Sequence, residues 1–303
     1  MLAELKALWQ YRELLISMVS RDLKIRYKNS FFGFLWSFIN PLTTVIVISY
    51  IFKSVIGQPI QNFSAYVLAA YLPYMFFSMA IMDATGSVLA NLGIVKKIYF
   101  PRETLPLTSI IANFIHFLLA QVVFFTYLTV LFILNPKDVP FQATTIYLPL
   151  LLVISFLLAT GIGLLCSAVN TFFEDVKYIM GFVLQMMLFL SPIMWVAEKM
   201  AYVTPRRYLL MELLNPVGVL CNAFRKVLLA PTPVNVNFGD TPVASNIPGH
   251  GPLNTILANH DVAMPALPIE WGMLAYTGAL SLIVFFGGYW VFNRYKWRFV
   301  ERP

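Results

Sequence analysis

Arg26-Tyr27-Lys28-Asn29-Ser30-Phe31-Phe32-Gly33-Phe34-Leu35-Trp36-Ser37-Phe38-Ile39-Asn40-Pro41 runs a basic, tyrosine-bearing segment straight into the first long apolar stretch of the chain, with a proline inside that stretch. Lys and Arg concentrate on the cytoplasmic side of spanning segments, so the stretch reads as a cytoplasmic anchor feeding a transmembrane helix. Residues 31–52 form the first of six such runs; the others are 64–82, 104–134, 145–173, 178–197 and 271–293, and none contains Asp, Glu, Lys or Arg. A hydrocarbon core needs ~20 apolar residues, and a charge at a helix centre costs roughly 2.5–3.5 kcal/mol on insertion scales. The third and fourth runs are longer than needed and extend or tilt.

Composition agrees. Of 303 residues, 59% are hydrophobic and only 12% charged, against about 25% charged in a soluble chain. The chain therefore reads as one membrane domain over residues 1–303. Its net charge of +7 is spread in short segments between apolar runs, the pattern of membrane topology rather than of a nucleic-acid surface. Charges at Glu4, Lys6, Arg12, Glu13, Arg21, Asp22, Lys24, Arg26 and Lys28 leave no uninterrupted core for a cleavable signal peptide. Cys166 and Cys221 are too far apart for a disulfide framework and lack metal spacing.

Six spans put both termini on one side. Placing them inside puts Lys or Arg at 6, 12, 21, 24, 26, 28, 96, 97, 102, 177, 294, 296, 298 and 302 there. Only 53, 137, 199, 206, 207, 225 and 226 remain outside, and most of those lie in one long loop, where the rule is weak. Cytoplasmic termini are expected.

Residues 2–28 read as an amphipathic helix, with Leu5, Leu8, Trp9, Leu15, Ile16, Val19 and Leu23 near one face. It suits the membrane surface, within a cytoplasmic segment 1–30, although a helix packed on a partner has the same pattern. Residues 31–197 then hold spans one to five, 198–270 an extracytoplasmic loop, 271–293 span six and 294–303 a cytoplasmic tail. Within the loop, the apolar run 213–224 is too short to span and reads as re-entrant or interfacial. Residues 230–269 are rich in Pro and Gly and read as exposed.

Chemistry is conspicuous by its absence. No Gly-x-x-x-x-Gly-Lys-Ser/Thr occurs, so an ATP-driven process needs its nucleotide site on another subunit. The spans lack acidic residues, which argues against proton or sodium coupling; Asp83 marks the edge of the second span. His116, His250, His260 and Asp261 do not converge as metal ligands, and no nucleophile pair is visible. No enzyme, cofactor or metal is expected in this chain.

The opening stretch also resembles R-Y-x-x-S-x-x-G-x-x-W followed by proline, a signature of the permease subunits of ABC type-2 transporters that export lipid-linked polysaccharides. A second segment, Val95-Lys96-Lys97-Ile98-Tyr99-Phe100-Pro101-Arg102-Glu103, resembles the V-K-K-x-x-F-P-R-E loop of the same family. The resemblance implies that these nine residues form a coupling helix docking on the ATPase, with Ile98, Tyr99 and Phe100 as an apolar anchor and charges around it. A basic topogenic loop with aromatic anchors has the same composition. A third segment, Phe173-Glu174-Asp175-Val176-Lys177-Tyr178, resembles F-x-D-x-x-Y/I, with Glu174 where the family often has Arg.

The resemblance implies an all-α membrane fold with six transmembrane helices, an N-terminal amphipathic interface helix, and short coupling and re-entrant helices. It implies a homodimer with two ABC ATPase subunits, which would hold the ATP and Mg²⁺, in a bacterial inner membrane. The cargo would be an undecaprenyl-linked polysaccharide of the O-antigen or teichoic acid type. Export of drugs or small lipids, or a stand-alone lipid-glycan flippase, are the alternatives. Lys24, Arg26, Tyr27 and Lys28 would meet the lipid pyrophosphate at headgroup level, or serve topology alone. Because the first and fifth helices line the channel in this family, Trp36, Tyr50, Phe182, Phe189 and Trp195 are the candidate glycan contacts.

Overall fold

The computed structural model describes residues 9–27, 39, 42–44, 46, 47, 50, 51, 63–97, 100–134, 142–231, 234–237 and 261–300. Among them the chain is helical apart from one two-stranded ribbon and the connecting turns. The helices are α1 (Arg12–Tyr27), α2 (Phe63–Ala90), α3 (Leu92–Val95), α4 (Thr104–Leu134), α5 (Leu148–Asn170), α6 (Asp175–Leu190), α7 (Ala197–Val203), α8 (Pro205–Leu214), α9 (Pro216–Leu228) and α10 (Trp271–Tyr295). One-turn 3-10 segments at Ala143–Tyr147 and Lys296–Val300 precede α5 and continue α10. Strands β1 (Val234–Asn237) and β2 (Asp261–Met264) pair antiparallel, Val234 opposite Met264.

Among the described residues, four helices are long and apolar enough to cross a membrane: those over 63–90, 104–133, 143–170 and 271–299. Three of them, α2, α5 and α10, run in one direction and α4 in the other, with α2 packed on α4 and α5, and α5 on α10. The bundle thus has a tail end, where α1, α3 and residues 296–300 meet, and a ribbon end, where α7–α9 and the strands meet. Its centre is a phenylalanine stack: Phe76 on Phe117 with centroids 5.2 Å apart, Phe114 edge-on to Phe156, and Phe117 edge-on to Phe224. Between apolar helices in lipid, such close packing replaces the hydrophobic drive that water provides.

The α5–α10 crossing is closer still. A Cβ on Gly288 would lie 2.1 Å from the Gly161 carbonyl oxygen, and one on Gly161 2.6 Å from the Phe285 nitrogen. Backbone therefore rests on backbone, which only glycine permits.

Several expected boundaries need correction. Of the first span, residues 39, 42–44, 46, 47, 50 and 51 are helical; the remainder lies outside the described residues. The second span does not stop near Asp83: α2 runs to Ala90, so Asp83 sits within the helix and accepts a 2.8 Å hydrogen bond from Asn113 Nδ2 of α4. Pro73 is inside α2 as well, which a bundled helix tolerates because neighbours re-satisfy the freed carbonyl. The expected fifth span over 178–197 is wrong at its far end. Ser191 is extended, as the residue before Pro192 prefers to be, and α6 closes at Leu190. Its 16 residues reach about 24 Å, less than a hydrocarbon core.

The apolar run 213–224 is likewise two helices rather than one. Asn215 caps α9 by accepting from the Gly218 amide at 2.9 Å, and Pro216 takes the first helical position, where its missing N–H costs nothing. Near the N-terminus, α1 packs on α4, burying Met18 and Val19 and half-burying Tyr11 and Leu15, while Trp9, Ile16 and Ile25 stay exposed. The buried stripe is thus shifted from the expected face.

Candidate functional site

At the tail end, the segment resembling the coupling loop is divided between two roles. Val95, Phe100 and Glu103 turn inward; Lys96 and Lys97 stay exposed. Leu92–Val95 forms one helical turn, which Lys96 and Lys97 close by donating their amides to the carbonyls of Leu92 and Ile94 at 3.0 and 3.1 Å. Phe100 joins a small apolar cluster with Met18, Val88, Val95, Leu105, Leu164, Ala168, Tyr289, Phe292 and Phe299. The expectation that Phe100 anchors a partner is therefore corrected: it fastens the segment to its own chain. Ile98 and Tyr99 lie outside the described residues.

Glu103 opens α4 and is 1% exposed, with Oε1 3.5 Å from Lys296 Nζ. A carboxylate at a helix N-terminus gains from the partial positive charge there. The Arg102 guanidinium donates to the Lys296 carbonyl and lies over the Trp297 ring at 5.5 Å. Phe172, in the turn before α6, packs on Tyr295 and Phe299. Asn170 ties this turn down, donating to the Thr85 carbonyl at 3.0 Å and accepting from the Lys177 amide at 3.1 Å, one of the orphan donors at the start of α6. Glu174 is exposed and Asp175 begins the helix.

At the ribbon end lies a charged network, most of it in the first half of the segment expected to be an extracytoplasmic loop over 198–270. Arg225, 3% exposed, donates to the Pro192 carbonyl at 2.9 Å and to Asn222 Oδ1 at 2.6 Å. It also sits 4.0 Å from the Tyr66 ring centroid and 3.7 Å from Glu198 Oε2. Tyr208 Oη donates to Glu212 at 2.6 Å, lies 3.0 Å from Glu270 Oε1, and accepts from Asn222 Nδ2 at 3.0 Å; Lys226 Nζ pairs with Glu270 at 3.1 Å. Burial, then hydrogen bonding with Glu270, pushes the Glu212 carboxyl up to about 7. Burial first, then the charge of Glu270, raises the Tyr208 phenol, so it remains a donor. A shallow cleft, open to its surroundings, lies beside this network and is lined by Trp195, Tyr208, Glu212 and Asn215 among others. The signal was present in the sequence as Glu198, Glu212, Arg225 and Lys226 amid apolar residues, but spacing alone does not pair them.

The remaining candidates scatter. Phe182 and Phe189 are exposed on one face of α6, Tyr50 is exposed, and Trp195 is half-buried, its indole donating to the Phe189 carbonyl at 3.1 Å. Trp36 and Lys28 lie outside the described residues; Lys24 is exposed on α1, which Arg26 and Tyr27 close. Among the described residues, Val95, Phe100, Arg102 and Glu103 are brought together at the tail end, and Phe189 and Trp195 meet at the end of α6.

Residues 13–229 match the family described as ABC-2 type transporter. The chain belongs to the ABC-2 type transporter family. The chain is 27% identical over 217 residues to an O-antigen export system permease protein RfbA of Klebsiella pneumoniae, covering 72% of this chain and 80% of that one. Identity to the O-antigen export system permease protein RfbA of Myxococcus xanthus is 28% over 228 residues, 75% and 84% of the two chains. The polysialic acid transport protein KpsM of Escherichia coli is 25% identical over 213 residues, 69% and 78%. As an ABC-2 permease the chain is a transport subunit rather than a catalyst. The matched region takes in α1, the tail-end segment 95–103 and most of the ribbon-end network, and ends before the ribbon.

Proposed function

We propose that this chain is the membrane subunit of an ATP-driven exporter that moves an undecaprenyl-linked polysaccharide, of O-antigen or teichoic acid type, across a bacterial inner membrane. The similarity to two O-antigen export permeases and a polysialic acid transport protein, over some seven-tenths of the chain, carries this reading. Two copies associate through surfaces that include α6, whose aromatic face is uncovered in one protomer, and two ABC ATPases bind the tail end. Trp36, Tyr50, Phe182, Phe189 and Trp195 then face the glycan. Lys24, Arg26, Tyr27 and Lys28 meet the lipid pyrophosphate, Arg26 by the bidentate fork that Lys lacks. The exposed Lys96 and Lys97 belong to the coupling segment Val95–Glu103, and ATP and Mg²⁺ reside on the partner.

The tail end is cytoplasmic in this reading. The test is co-expression with the candidate ATPase. Wild type should co-purify with it, and Tyr99→Ala should weaken that association or its stimulation while the permease still inserts. A chain that inserts, is stable, and binds no ATPase contradicts the proposal. Labelling from outside should modify a cysteine at Asn246 and miss one at Lys97; the opposite pattern reverses the orientation.

A further inference from the structure

We propose that the C-terminal turn Lys296–Val300 is a positioning element for the coupling segment, and that the Lys296–Glu103 pair transmits movement of that segment directly into α10. The inference rests on the reading of Val95–Glu103 as the contact with the ATPase.

Three observations carry it. First, the pair is built rather than incidental: Glu103 is 1% exposed and Lys296 8% exposed, and they meet at 3.5 Å although 193 positions separate them in the sequence. A lysine on a free tail would stay in water, because a buried ammonium needs a partner. Second, the contact has several points. Arg102 donates to the Lys296 carbonyl, and Arg102 and Lys296 both lie over the Trp297 ring, at 5.5 and 5.7 Å. Phe299, fully buried, shares a cluster with Phe100 and Val95 from the segment and Met18 from α1. Third, no linker intervenes between the turn and the span. The Lys296 amide donates to the Phe292 carbonyl, so the turn continues α10 as one rigid rod.

A push on the outer side of the segment therefore has a direct mechanical path. It passes from Phe100, Arg102 and Glu103 to residues 296–299, into α10, and across the glycine crossing of Gly288 with Gly161 into α5. The helices at that crossing have no side-chain layer to absorb the displacement. Phe172, touching Tyr295 and Phe299, joins the turn before α6 to the same body.

The experiment reconstitutes the complete permease–ATPase complex in proteoliposomes and measures lipid-linked glycan moved per ATP hydrolysed. Lower stability reduces the amount of active complex but leaves that ratio unchanged, so the ratio separates positioning from folding. Lys296→Met should lower the ratio about tenfold, Lys296→Arg should retain most of it, and the exchange Glu103→Lys with Lys296→Glu should recover part of the loss. An unchanged ratio in Lys296→Met overturns the inference, and so does a loss of complex yield with the ratio intact. Tyr99→Ala is run alongside. If it uncouples while Lys296→Met does not, only this inference falls; if neither uncouples, the coupling reading falls and takes the inference with it.

Discussion

Replacing Gly288 by Ala places a methyl group 2.1 Å from the Gly161 carbonyl oxygen and 2.9 Å from its carbon. Ordinary contact begins near 3.4 Å, so α5 and α10 must part by about 1.3 Å at the crossing, in an interior whose packing leaves little slack. The obstacle is backbone, which cannot rotate away as a side chain does. Overpacking of this kind costs about 1–3 kcal/mol, a roughly 5- to 150-fold change in an unfolding equilibrium. The structure supplies its own control: Gly287 is adjacent, on the same helix, and a Cβ there meets nothing within 4 Å. Gly287→Ala should be neutral or slightly stabilising, because alanine has the better helix propensity. The assay is thermal unfolding of the detergent-purified protein, with both variants measured in the same detergent. Equal midpoints for the two variants would refute the backbone-on-backbone crossing.

Three further outcomes follow from the ribbon end and α1. Glu212, with its carboxyl held at about 7 rather than the ordinary 4.5, binds its proton more tightly when folded. The stability this provides, on the order of 1–3 kcal/mol, is complete below about pH 4.5 and lost as pH rises through about 7; in Glu212→Gln the midpoint measured from pH 5 to pH 8 should be flatter, and an unchanged slope would sink the assignment. Arg225→Gln leaves Glu198 buried without its cation and should cost about 3–5 kcal/mol, whereas Arg225→Met with Glu198→Met should recover much of it; a double-mutant cycle showing no coupling contradicts the pairing. Met18→Ala opens a cavity between α1 and the tail-end cluster and should cost about 2–5 kcal/mol, read as earlier proteolytic release of the N-terminal helix; unchanged protease resistance argues against that packing.

Elements bounded by charge or by a helix-stopping residue were legible in the sequence. Glu103 and Asn135-Pro136 flank the third span, and α4 occupies Thr104–Leu134 as expected. Span six begins at Trp271 as expected and overruns by two residues, to Tyr295. The errors arise where local and tertiary signals diverge. Ser191-Pro192 breaks an apolar run that hydropathy reads as continuous. Asp83 looks like a membrane edge by charge, but Asn113 on the neighbouring helix satisfies it inside α2. Phe100 looks like a surface anchor because the cluster that buries it includes Phe299, nearly two hundred residues away, and no spacing rule connects them. The Gly161–Gly288 crossing, and the pairing of Arg225 with Glu198 and of Lys226 with Glu270, were hidden for the same reason. Family resemblance located the tail-end segment, and the structure alone shows which of its faces is turned inward.

The central claim is that ATP hydrolysed on a partner drives a lipid-linked glycan through this chain. The most direct measurement uses sealed proteoliposomes holding the permease–ATPase complex and a fluorescent lipid-linked glycan, with ATP and Mg²⁺ added on the tail-end side. Glycan should become protected inside the vesicles only with hydrolysable ATP, and not with an ATPase lacking its catalytic carboxylate. Transfer at the same rate without ATP, or by the permease alone, would contradict the account and favour a stand-alone flippase.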